Sequence, residues 1–155
     1  MILTHDAFGV VHLWTAVAAL LAGTLVLAMP KGSVLHKCIG YAYVASMVPM
    51  LITSFFIQRL YGGWGVFHVS SVVSSLTLAA GMLSVWFRRH IRPWKRLHWG
   101  FMYWSVIGLY AAFAAELMVR IPDTPFYAMV GVATAAVMVL GGLGFGLRIR
   151  VWEKL

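Results

Sequence analysis

Apolar residues run along this chain in five stretches of about 20, the length a helix needs to cross the hydrocarbon core of a bilayer. They cover Ala7–Met29, Cys38–Leu60, Gly65–Phe87, Leu97–Val119 and Phe126–Leu147. Turn and breaker residues fill the gaps. Pro30-Lys31-Gly32-Ser33 follows the first stretch, with Ser33 placed to cap the second helix. Gly62-Gly63 separates the second from the third, Pro93 suits the first turn of the fourth, and Pro122-Asp123-Thr124-Pro125 precedes the fifth. The pattern predicts an all-α integral membrane protein, a single transmembrane domain over residues 1–155, with its first four helices in an up-down-up-down bundle.

Composition agrees with this pattern. The 155 residues are 62% hydrophobic and 10% charged, with a mean hydropathy of +0.88. A globular domain is about 25% charged, so polar surface is too scarce here to cover a soluble body. The N-terminus lacks the positive region of a signal peptide, so the first span is expected to stay in the mature chain. One cysteine, Cys38, allows no internal disulfide, CxxCH haem attachment is missing, and no G-x-G-x-x-G opens a nucleotide-binding module.

A net charge of +8 invites a nucleic-acid reading, but its distribution points to the membrane. Arg88, Arg89, Arg92, Lys95 and Arg96 share one short connection, and no DNA- or RNA-recognition module accompanies them. With the N-terminus outside, ten Lys and Arg lie on the inner side, against Arg59 and Arg120 outside. The positive-inside rule therefore sets the N-terminus outside and the C-terminus on the cytoplasmic side. Trp14 and Trp64 then fall near the outer interface and Trp86, Trp94, Trp99 and Trp152 near the inner one, as anchoring belts.

Ionisable groups inside spans are costly and point to sites. Each of the first four spans carries one histidine near a face. His12 and His68 share an outer level, and His36 and His98 an inner one. In a four-helix bundle, helices one and three are diagonal, as are two and four, with axes roughly 11–14 Å apart. A metal with one imidazole on either side spans such a gap. Gly23 and Gly81 at the inner level, and Ala111, Ala112, Ala115, Thr53 and Ser54 at the outer, are the small residues expected to leave room for a porphyrin. The arrangement suggests two bis-histidine b-type haems, one near each face, with Lys37, Arg92, Lys95 and Arg96 facing inner propionates and Arg59 or Arg120 outer ones. The plainer account makes each histidine an interfacial ring with one wet edge.

Glu116 lies at the depth of His12 and His68. Those three residues suggest a second reading, a zinc, copper or iron ion site or a metal or proton entry point. Against it stands a simple helical pair of Glu116 with Arg120. A third reading is a non-catalytic membrane subunit. His5, Asp6 and His90 read as solvated, Cys38 as a small apolar filler, and Tyr41 and Tyr43 as packing or interfacial residues. Gly142-x-x-x-Gly146 allows close helix approach, either within the chain or in a homodimer.

The run Lys31-Gly32-Ser33-Val34-Leu35-His36-Lys37-Cys38-Ile39-Gly40-Tyr41-Ala42-Tyr43 resembles the hallmark of a bacterial predicted-membrane-protein family, the domain of unknown function 2306. That family also shows Phe-His at a third-span start, here Phe67-His68, and His with Met four residues on in its fourth span, here His98 and Met102. The resemblance covers roughly His12 to Pro122 and implies a membrane fold without an assigned activity. The order of one histidine per helix is also similar, in architecture, to two-haem transmembrane b-type cytochromes. That similarity implies electron transfer across the bilayer, with electrons from quinol or a redox partner protein. No catalytic residue is assigned, and a reductase activity would require an acceptor.

Overall fold

The computed structural model describes residues 7–57 and 63–152, apart from the side chain of Arg150. Five helices run in order: α1 (Ala7–Ala28), α2 (Val34–Ser54), α3 (Val66–Trp86), α4 (Trp94–Met118) and α5 (Phe126–Trp152). No strand occurs among the described residues. All five helices are long and apolar enough to cross a membrane. The chain is a multi-pass membrane protein, with the apolar side chains of Leu21, Leu76, Leu140 and Leu147 turned outward where lipid meets them. His5, Asp6, Arg59, Gly62, Lys154 and the last turn expected of the second span lie outside the described residues.

Local chemistry explains where the helices begin and end. Lys31 reaches back and donates from Nζ to the carbonyls of Val26 and Leu27, both at 3.0 Å, so it satisfies acceptors at the end of α1. Gly32 then takes φ +80°, a conformation that favours glycine. Ser33 caps α2, its Oγ accepting from the backbone N–H of His36 at 3.1 Å. This cap starts α2 four residues before the expected Cys38. The helix also ends earlier, because Phe55, Phe56 and Ile57 tighten into three-residue hydrogen bonds. α4 opens at Trp94, directly after Pro93, and α5 continues past Leu147 to Trp152.

Hydroxyls inside the spans bond to their own helix, as a medium without water requires. Thr24 Oγ1 donates to the Leu20 carbonyl, Ser75 Oγ to that of Ser71 and Ser84 Oγ to that of Gly81, each at 2.7 Å.

Contacts divide the chain into two compact units that meet between Leu78 and Ala79 of α3. In the first, α1 and α2 pack antiparallel, with Val26 beside Gly40 near one end and His12 beside Met50 near the other. The start of α3 joins α2 through Ser54 Oγ, which donates to Ser71 Oγ at 2.8 Å. Tyr43 and Met47 are fully buried, whereas Tyr41 is exposed. Cys38 is exposed too, so it fills no core.

In the second unit, α4 and α5 pack antiparallel at close range. A Cβ on Gly141 would lie 2.5 Å from Ile107 Cγ2, and one on Gly144 would lie 2.8 Å from Tyr103 Oη. Tyr103 Oη donates to the Gly141 carbonyl at 2.7 Å. The docking glycines are therefore Gly141 and Gly144. Gly146 of the expected pair meets nothing within 4 Å. Trp152 is buried rather than an interfacial anchor: its ring lies 5.3 Å from Trp99 and 5.6 Å from Tyr103. Trp14, Trp64 and Trp86 are exposed, in keeping with a belt.

Candidate functional site

His12 and His68 both fall in the first compact unit, around the C-terminal turn of α2. The His12 ring, on the sixth residue of α1, donates from Nδ1 to the Met50 carbonyl at 3.0 Å, with Thr53 Oγ1 at 3.4 Å. A neutral imidazole carries one ring proton. Placing it on Nδ1 leaves the Nε2 lone pair to act as an acceptor or a metal ligand.

His68 sits in the first turn of α3 and is only 3% exposed. Its Nδ1 accepts from the Gly65 backbone N–H at 3.1 Å, while the His68 backbone N–H donates to the Gly65 carbonyl at 3.0 Å. This reciprocal pair caps α3 in the manner of a capping box, with an imidazole in place of the usual Glu or Gln. Trp64 stacks on the ring at 5.4 Å, and Phe55 tilts against it at 6.4 Å. Nε2 is buried with no hydrogen-bond partner. Because Gly65 occupies the Nδ1 lone pair, the neutral ring holds its proton on Nε2. His12 and His68 therefore present opposite tautomers.

His98 resembles His12. Its Nδ1 donates to the Gly81 carbonyl on α3 at 2.9 Å, which leaves Nε2 as the acceptor. Gly81 serves that contact rather than a cavity, since a Cβ there would lie 2.7 Å from Met102 Sδ. The expected porphyrin space beside Gly81 is filled by Met102. His36 belongs to the first unit and His98 to the second. The His36 Nδ1 atom is buried, and its backbone N–H is held by Ser33.

The family comparison draws on the same segments. Residues 9–146 match the family described as predicted membrane protein, DUF2306. The chain belongs to this family. Family membership agrees with the five membrane-length helices and carries no activity with it. No curated protein and no solved structure matches the chain.

Glu116, the third residue of the outer metal reading, bonds Arg120 through its carboxylate, and Arg120 Nε also donates to the Glu116 carbonyl at 3.0 Å. Both side chains are well exposed. Among the described residues, no three His, Cys, Asp or Glu gather as a metal-holding group. Sequence reasoning missed the Gly65 cap and the Trp64 stack on His68. The signal was present in Trp64-Gly65-Val66-Phe67-His68, where glycine stands three residues before an imidazole at a helix start.

Proposed function

We propose that this chain is a transmembrane electron-transfer protein of the bacterial inner membrane that holds two b-type haems. In this reading His12 and His68 ligate an outer iron, and His36 and His98 an inner one. The N-terminus is outside, and quinol or a redox protein supplies electrons. The observation that carries it is the seating of His12 and His98. Each fixes Nδ1 on a carbonyl of a neighbouring helix and so places the ring's lone pair on Nε2, the arrangement by which proteins orient metal-ligating histidines.

His68 fits on different terms. Its buried Nε2 needs a partner, which an iron supplies. Ligation there also requires the ring proton to leave Nε2, which opposes the present bond from Gly65 to Nδ1. The outer site thus exchanges a helix cap for a metal bond on loading.

Bound haem supplies reversible one-electron chemistry at iron. The chain contributes orientation of its imidazoles, a dry surround at His68 under Trp64 and Phe55, and helices that carry the rings across the bilayer. The test is a reduced-minus-oxidised spectrum of the purified protein after haem titration. A sharp α band of low-spin b haem is expected; a chain that takes up no haem contradicts the reading.

A further inference from the structure

We propose that Ser54 and Ser71 are positioning residues for the outer iron, and that their paired hydroxyls hold His68 in place relative to His12. The inference rests on the reading in which those two histidines share that iron.

Both histidines lean on one short segment, the C-terminal turn of α2 with its cap, Met50 to Phe55. His12 reaches it from α1 through the Met50 carbonyl at 3.0 Å, and Phe55 tilts against the His68 ring. Pro49, at the head of this turn, supplies no N–H to the helix and so loosens the turn from the rest of α2. Its placement then depends on ties to its neighbours. A tilted ring contact is weakly directional. The directional tie to α3 is the hydrogen bond from Ser54 Oγ to Ser71 Oγ at 2.8 Å.

Ser71 follows His68 by three residues on α3, so the two share a face of that helix. Fixing Ser71 therefore fixes the turn that carries His68. Both side chains are buried, and water does not compete for the bond. Ser71 gives its own proton to the Phe67 carbonyl at 2.9 Å, which leaves its oxygen to accept from Ser54. Ser54 also has the Leu51 carbonyl of its own helix at 2.7 Å. Removing the Ser71 hydroxyl thus breaks the tie between helices without stranding a buried donor, and Ser71→Ala isolates the tie.

The experiment titrates haem into the full chain carrying His36→Ala, which leaves the outer site alone, and records the EPR spectrum of the oxidised haem. Its g values follow the angle between the two imidazole planes, a property that general stability does not move. S71A is expected to shift the g values and to weaken binding roughly three- to fivefold, the size of one interhelical hydrogen bond in a membrane. S54A does the same, so either alanine variant that folds reads the pair, and S54T restores the parent values. S75A deletes a hydroxyl that serves its own helix, through the Ser71 carbonyl at 2.7 Å, and leaves both readouts unchanged. Unchanged g values in S71A overturn the proposal whatever the affinity, as does an equal effect in S75A or a loss in S54T equal to that in S54A. A parent chain that takes up no haem overturns the reading of the outer site and this inference with it. A parent that binds haem and is matched by S71A overturns this inference alone.

Discussion

The Nδ1 of His12 on α1 donates across the helix interface to the carbonyl oxygen of Met50 on α2, 3.0 Å away. This bond orients the ring and ties the two helices together near the same turn that meets His68. Its loss in His12→Ala is expected to cost about 1 kcal/mol, the net worth of an ordinary hydrogen bond. The cost stays modest because the Met50 carbonyl still accepts from Thr53 Oγ1 at 3.0 Å. Thermal unfolding of the cofactor-free protein should show a drop of roughly 2–4 °C. A collapse of the fold would give His12 a larger structural role than this geometry assigns.

Gly65→Pro tests the tautomer of His68. Proline removes the N–H that bonds Nδ1, and with it the obstacle to placing the ring proton there. Haem is expected to bind the outer site about fivefold more tightly, the equivalent of about 1 kcal/mol. Equilibrium titration followed in the Soret region gives the comparison. Unchanged or weaker binding by a folded variant would argue that the Gly65 contact does not compete with ligation.

The α4–α5 interface should be intolerant of added methyl groups at two glycines. Gly141→Ala drives a Cβ into Ile107, and about 1–3 kcal/mol of destabilisation is expected from overpacking. Gly144→Ala meets the Tyr103 hydroxyl instead, so Tyr103→Phe should recover part of its loss. Gly146→Ala should be close to neutral, since the added carbon meets nothing. Unfolding of the single and double variants in one detergent decides it. A Gly146→Ala defect larger than that of Gly141→Ala would move the docking face to the other side of α5.

Much of the fold was legible because apolar length alone selects membrane helices. Ser33 as a cap could be read directly from its place before Val34-Leu35-His36. Packing was less visible. Gly141 and Gly144 lie in the same glycine-rich run as Gly142 and Gly146, and which pair meets α4 depends on helix rotation, which spacing does not fix. Likewise, Trp152 has the composition of a belt residue, yet the extension of α5 tucks it against Trp99 and Tyr103.

The four histidines were prominent as rare polar groups in apolar runs. Their tautomers were not, because these depend on the carbonyl or N–H that each ring meets in three dimensions. Gly81 looked like porphyrin space from sequence, whereas its missing side chain admits Met102 and offers its carbonyl to His98.

The central claim is that four imidazoles hold two separate irons, and haem counted per polypeptide tests it most directly. Pyridine haemochrome analysis of the saturated wild-type protein should give two haems per chain. His36→Ala should give one, with the spectrum of the outer site intact. A wild-type chain that saturates without haem, or a folded His36→Ala variant that still binds two or loses both, would contradict the account.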